Sequence, residues 1–244
     1  MRNQKRGKRI TSDAELEHRR FLKRIRLSSI STKYWHQRYN LFSLYDNGIW
    51  LNEESFYSVT PEAVARNIAE HVQRKIKANV IIDAFCGAGG NSIQFAKLFS
   101  KVIAIDVNEE TLKCARHNAE IYGVSHKIEF IHGDYFQLID TLQADFVFLS
   151  PPWGGPEYKR QSVFDLSAME PYNYEEIMRA SLSITKNIAL YVPRNSDLGQ
   201  LEDCFDYKEY QPYSNGSPYK CALKFLALRG HFVALCAYYG DLAG

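Results

Sequence analysis

The chain has 244 residues, enough for one enlarged globule or two small domains, and its 45% hydrophobic and 14% aromatic residues can fill a sizeable core. No apolar run approaches the ~20 residues that span a bilayer, no apolar signal region follows the basic start, and the five scattered cysteines (Cys86, Cys114, Cys204, Cys221, Cys236) contain no C-x-x-C pair. These features argue against membrane-spanning and secreted classes, a disulfide framework and structural zinc, and toward a reducing compartment.

The net charge of +2 hides an asymmetry. Residues 1–26 hold ten Lys/Arg against three acids, a net of +7, and the other 218 residues hold 20 against 25, a net of −5. Residues 1–26, polar and basic, read as a disordered arm or a frayed helix near 12–25. Their charge suits an RNA-phosphate contact or a nuclear address, with plain solubility as the alternative. Residues 27–77 form a second segment. From Lys33 onward it is aromatic (Tyr34, Trp35, Tyr39, Phe42, Tyr45, Trp50, Phe56, Tyr57), too apolar for a linker, and reads as a helical extension. Thr60 as N-cap and Pro61 in the first turn predict a helix start there.

From 78 to 244 the pattern alternates. Short apolar runs predict strands at 80–85, 102–106, 128–131, 145–149 and 188–192, and helical spacing predicts helices near 90–99, 109–122 and 173–186. Two further strands, 207–213 and 233–239, flank a Gly/Ser/Pro-bearing insertion at 214–220. Such alternation with right-handed crossovers predicts an open, mostly parallel α/β sheet.

The first strand runs into Asp83-Ala84-Phe85-Cys86-Gly87-Ala88-Gly89-Gly90. Gly87 and Gly89 let the backbone turn tightly and let a ligand approach main-chain N–H groups at a helix N-terminus. The spacing is not G-x-G-x-x-G, which favours a smaller adenosyl ligand over a pyrophosphate. Asp106 ends the second strand, where a carboxylate accepts both ribose hydroxyls of an adenosine. Asp134 follows the third strand, placed for the adenine amine, with Tyr135 beside it to flank the ring. Three ligand-type residues after three successive strands point to S-adenosylmethionine, whose positive sulfonium suits a carboxylate-lined pocket without a phosphate site.

The fourth strand delivers Ser150-Pro151-Pro152-Trp153-Gly154-Gly155-Pro156 to the carboxyl edge of the sheet. Prolines force the preceding residues extended, so the Ser150 and Pro151 carbonyls become fixed acceptors for an amine conjugated to a planar ring. Trp153 offers a stacking face, with a cation–π contribution for a cationic base such as 7-methylguanine. Adenine or a glutamine amide would suit the same device, so another amino-methyltransferase stays open. A pyrimidine-carbon methyltransferase fits less well, since Cys86 lies in the glycine turn. A silent RNA-binding scaffold is a further alternative, against which Asp83, Asp106 and Asp134 speak.

These strings, with Phe56-Tyr57-Ser58-Val59-Thr60-Pro61-Glu62, Val192-Pro193-Arg194-Asn195 and Ala237-Tyr238-Tyr239-Gly240-Asp241-Leu242, resemble the trimethylguanosine synthase family across roughly residues 33–200 and again at 237–242. The resemblance implies a class I methyltransferase fold: a Rossmann-like, mostly parallel seven-stranded sheet with an N-terminal helical extension completing the active site. It implies two successive methyl transfers from S-adenosylmethionine, without a metal, that convert the 7-methylguanosine cap of small nuclear and nucleolar RNA to 2,2,7-trimethylguanosine. RNP proteins would be further partners, no membrane is involved, and the setting would be the nucleus, nucleolus or Cajal body, with a cytoplasmic pool.

The resemblance further implies that Phe42, Thr60, Asp83, Asp106 and Asp134 line the S-adenosylmethionine pocket. Trp153 would stack on the methylated guanine while Ser150 and Pro151 address its 2-amino group. Lys33, Tyr158 and Arg194 would hold the cap phosphates, with Ser58 and Asn118 near the site. There are departures: where the family often carries a lysine near the last strand, this chain has Phe232-Val233-Ala234-Leu235, and residues 207–230 match nothing familiar. No histidine has a motif partner that would make it a general base.

Overall fold

In the computed structural model, which describes residues 32–202 and 220–244, the aromatic segment folds into short helices that lead into one long one. These are α1 (Thr32–His36), α2 (Arg38–Leu41), α3 (Ser55–Ser58) and the 14-residue α4 (Glu62–Lys75). The buried face of α4 carries Val64, Ala65, Ile68, Ala69 and Val72, the spacing of an amphipathic helix. Thr60 does not cap it. Pro61 takes the N-cap position, its extended ψ of 138° starting the helix one residue later than expected. The Pro61 carbonyl accepts the Val64 and Ala65 N–H groups at 2.8 and 2.9 Å. Thr60 Oγ1 instead accepts from Asn91 Nδ2 at 2.9 Å.

Strand and helix then alternate through β1 (Val80–Asp83), α5 (Gly90–Leu98), β2 (Lys101–Asp106), α6 (Glu109–Ile121) and β3 (Ile128–His132). The second half follows as α7 (Tyr135–Leu138), β4 (Phe146–Leu149), α8 (Tyr174–Leu182), β5 (Ile188–Val192), α9 (Leu198–Glu202), β6 (Cys221–Leu228) and β7 (His231–Tyr239). Local chemistry sets several boundaries. Asn108 accepts from Thr111 N at the start of α6, and Asn173 with Glu176 forms a capping box on α8.

The seven strands lie in the order β3-β2-β1-β4-β5-β7-β6. The first five pair in parallel, while β7 runs antiparallel between β5 and β6. Side chains of β1 alternate between two apolar layers, Ile81 facing one and Ile82 the other, so both faces of the sheet are covered. The chain leaves β1 toward β2 and β3, then returns to build β4 on the other side. That reversal opens a crevice beyond the carboxyl ends of β1 and β4.

One stretch departs from the sequence reading. Residues 221–228, part of the 207–230 stretch that matched nothing familiar, form β6. Only Leu226 of its eight residues is buried, as suits a strand at the edge of the sheet, whereas all four residues of β4 are buried. The strand expected at 207–213 lies outside the described residues.

The extension is tied to the sheet domain by polar contacts as well as apolar ones. Asn118 on α6 accepts the Trp50 N–H at 2.8 Å and donates to the Trp50 carbonyl at 2.9 Å and the Ala88 carbonyl at 3.0 Å. Glu62 accepts from Ser43 N at 2.6 Å and from the Tyr122 hydroxyl at 2.8 Å, and Lys97 lies 3.7 Å away.

Candidate functional site

A cavity of about 410 Å³ sits in the crevice, walled by the carboxyl ends of β1 to β4 and by the extension. Its floor is the turn after β1. Gly87, at φ +52°, donates its N–H to Asp106 Oδ2 at 2.8 Å, and Asn108 N donates to Oδ1 at the same distance. Burial raises the Asp106 carboxyl above its ordinary value, and the two N–H groups work against that rise. Asp106 therefore lines the cavity as a fixed, backbone-anchored acceptor.

Gly89 does not reach the cavity. It adopts φ +88° at the start of α5, and a Cβ there would stand 3.3 Å from the Ala115 backbone. Its role is close approach of α5 to α6.

Asp83 also stands back, fully buried behind the turn. Its Oδ2 accepts from Ser92 Oγ at 2.6 Å, whereas Oδ1 has no partner within the protein, and burial pushes the carboxyl up to about 7 against the pull of the Ser92 hydrogen bond. Asn91, which does line the cavity, likewise has a buried Oδ1 without a protein partner. Buried polar atoms are normally satisfied, so two orphaned acceptors beside one cavity suit a cationic N–H ligand group.

Asp134 follows β3 and caps α7 through Phe136 N at 3.0 Å. Its Oδ2 accepts from the Tyr172 hydroxyl at 2.6 Å, and the Tyr172 ring stacks on Phe136 at 3.6 Å. Tyr135 lines the cavity but is fully buried, with its hydroxyl on Ser181 Oγ at 3.0 Å. Tyr172 carried no sequence signal, because it sits in a loop without periodicity.

The opposite wall is aromatic. Ser150, Pro151, Pro152 and Trp153 line it, with Ser150 Oγ donating to the Phe85 carbonyl at 3.2 Å. Trp153 Nε1 donates to the Tyr191 carbonyl at 3.3 Å. Tyr158 stands edge-on to the indole and Tyr191 is tilted over it, both at 5.3 Å. From the extension come Tyr34, Tyr57 and Ser58, the two tyrosine rings 6.0 Å apart. Tyr34 and Tyr57 were legible only as part of an aromatic-rich segment, without a role.

Of the remaining expected site residues, Thr60 and Tyr158 line the cavity, and Phe42, Asn118 and Arg194 do not. Phe42 is buried in the apolar layer beside Tyr122, and Asn118 is the clamp described above, so each supports the extension at a remove from any ligand. Arg194 lies just past β5, donating to the Phe232 carbonyl at 3.0 Å. Its charge acts on the Tyr158 phenol, whose pKa burial raises and Arg194 lowers. Lys33 belongs to α1, next to Tyr34. Lys224 donates to Asn67 Oδ1 and Arg229 to Asn40 Oδ1, so both basic side chains of this edge are held by the extension and α4.

Cys86 lines the cavity, but burial pushes its thiol well above the usual range, which leaves little thiolate to act as a nucleophile. Among the described residues, no three His, Cys, Asp or Glu side chains gather as a metal group. None of the cavity-lining residues is a histidine.

Residues 78–242 match the RNA cap guanine-N2 methyltransferase family. The chain belongs to this family. It is 41% identical over 215 residues to the trimethylguanosine synthase of Schizosaccharomyces pombe, covering 85% of this chain and 84% of that protein. To the trimethylguanosine synthase of Saccharomyces cerevisiae it is 36% identical over 217 residues, covering 86% and 67%. A solved methyltransferase structure from Porphyromonas gingivalis superimposes with a TM-score of 0.64 at 18% identity, over 93% of this chain and 55% of that one, which speaks for the fold alone. The cap guanine-N2 methyltransferase fold is thus placed on a sheet whose crevice holds both an acidic and an aromatic wall.

Proposed function

We propose that this cap guanine-N2 methyltransferase converts 7-methylguanosine caps to 2,2,7-trimethylguanosine by two transfers from S-adenosylmethionine. One observation carries the reading. A single cavity of about 410 Å³ joins Asp106 and Asp134, acceptors suited to an adenosine, to the Ser150-Pro151-Pro152-Trp153 wall, suited to a planar base with an exocyclic amine. When bound, S-adenosylmethionine supplies an electrophilic methyl group on a sulfonium.

The residues then divide the work. Asp106 accepts the ribose hydroxyls and Asp134 the adenine amine, while Asn91, whose buried Oδ1 has no protein partner, serves the ammonium end, with Asp83 behind the turn adding negative charge there. Trp153 stacks on 7-methylguanine, whose positive charge strengthens the contact. The Ser150 and Pro151 carbonyls accept from the guanine 2-amino group and aim its nitrogen at the methyl. Positioning supplies most of the acceleration, since the electrophile is already activated. The amine becomes acidic once methylated and releases its proton to water, consistent with a cavity wall that contains no histidine.

Lys33, Tyr158 and Arg194 hold the cap phosphates in this reading. Small nuclear and nucleolar RNAs are the proposed capped partners and the nucleus the proposed setting, a choice supported by the +7 charge of residues 1–26. The test is incubation with labelled S-adenosylmethionine and short caps with or without the 7-methyl group, followed by mass spectrometry. Dimethylation at the guanine 2-amino nitrogen of the 7-methylated cap supports the reading, and equal transfer to the unmethylated cap overturns the cation-stacking argument.

A further inference from the structure

The turn joining β6 to β7 overhangs the same sheet edge as the cavity. Val192, the last residue of β5, pairs with Leu235, so residues 231–234 run past the carboxyl end of β5. Arg229 and Gly230 close the turn with φ of +52° and +81°, and Arg229 Nη2 anchors it to Asn40 of the extension at 2.8 Å. On this overhang Phe232 is 56% exposed and Phe225 43%, their rings 5.4 Å apart. Single exposed apolar residues are ordinary, but two adjoining phenyl rings on one edge form a patch that invites a ligand.

Arg194 links the strand that carries the patch to the proposed cap site. Trp153 contacts Tyr158 at 5.3 Å, Arg194 acts electrostatically on Tyr158, and Arg194 Nη1 donates to the carbonyl of Phe232 itself at 3.0 Å. A phosphate chain leaving the guanine and held at Arg194 would bring the next nucleotide onto the Phe232 ring. The charge also fits: residues 221–239 contain Lys224, Arg229 and His231 and no acid.

We infer that Phe232 and Phe225 form a stacking platform for the first transcribed nucleotide of the capped RNA. This rests on the cap-methylation reading and extends it to substrate beyond the cap. A ring face accepts any base, so the platform would favour RNA over a free cap nucleotide without reading sequence. It occupies the place where the family's lysine is missing, and substitutes aromatic contact for a phosphate contact.

The experiment compares kcat/KM on 7-methylguanosine diphosphate with that on a capped five-nucleotide RNA, for the wild-type chain and for Phe225→Ala/Phe232→Ala. The wild type should prefer the capped RNA, and the double variant should lose about tenfold on the RNA with no change on the cap nucleotide. Phe232→Trp should keep the preference and Phe232→Leu should lose it, which separates stacking from apolar burial. Calorimetric S-adenosylmethionine affinity equal to wild type shows that each variant is folded. An unchanged preference in the double variant and in Phe232→Leu overturns the platform while leaving cap methylation standing. A wild-type chain that methylates neither substrate overturns both.

Discussion

The two walls of the cavity are built on different principles. The adenosine wall comes from the ends of three adjacent strands, and its acids are already fixed by the protein: Asp106 by two backbone N–H groups, Asp134 by Phe136 N and the Tyr172 hydroxyl. The cap wall is assembled from rings of separate segments, Tyr34 and Tyr57 from the extension, Trp153 after β4 and Tyr191 within β5. The first is a set of acceptors held largely by backbone N–H groups at strand ends, with Tyr172 as its one distant side chain. The second consists of ring faces, each brought in by a different segment of the chain. Donor binding thus leans on the sheet's own strand ends, whereas the base-binding wall depends more on docking of the extension.

If that division holds, changes on one wall should leave binding at the other intact. The largest effect is expected from Trp153→Ala, which removes the stacking face, worth ~1–3 kcal/mol, together with the alignment of the amine. Cap methylation should fall by about a hundredfold or more, with S-adenosylmethionine affinity unchanged by calorimetry. Equal loss of both would show that the walls are one unit. Next, Asp106→Asn should weaken S-adenosylmethionine about tenfold while cap affinity, read by fluorescence quenching of the indole, stays constant.

Asp83 sharpens the comparison through pH. Its folded-state pKa of about 7 lies above its ordinary value of 3.8, so the buried carboxyl is harmless when protonated at low pH, destabilises progressively as pH rises from 3.8 to about 7, and costs a constant amount above that. Asp83→Asn should therefore raise the melting temperature of the ligand-free protein more at pH 8 than at pH 4. Added S-adenosylmethionine, whose positive charge in the neighbouring cavity would favour the ionised carboxyl, should shrink the pH 8 gap. A gap independent of pH would refute the buried-carboxylate account. The smallest effect belongs to Tyr172→Phe, which deletes one hydrogen bond to Asp134 and should raise the KM for S-adenosylmethionine about threefold without altering that for the cap.

The same division governs what the sequence made legible. β1, β2, β4 and β5 announced themselves as short apolar runs because both faces of each are buried. Asp106, Asp134, Ser150 and Trp153, which line the cavity, lie at or shortly after the ends of β2, β3 and β4. β6 was missed although it carries the apolar residues Cys221-Ala222-Leu223 and Phe225-Leu226-Ala227-Leu228, because Lys224 breaks the run and the strand lies within a stretch that matched nothing familiar. Thr60 was misread as a cap because a hydroxyl before Pro-Glu serves a helix start or a tertiary contact equally well, and here Asn91 claims it. Phe42, Gly89 and Asn118 were assigned to the pocket, yet each acts by packing or clamping the elements around it. Tyr172 left no trace, since a loop residue becomes part of a site only through the path of the backbone.

Asn118 carries a consequence of its own. One amide reaches the main chain of the extension at Trp50 and the glycine turn at Ala88, so the fastening of the extension and the shape of the donor pocket share a buried group. Undocking the extension would strand that amide without two of its three partners and strip Tyr34, Tyr57 and Ser58 from the cavity. Occupancy of the pocket and docking of the extension are thereby linked in free energy: a ligand that bridges both walls acts as a latch, and should shield the peptide bonds around residues 43–54 from proteolysis in proportion to its saturation.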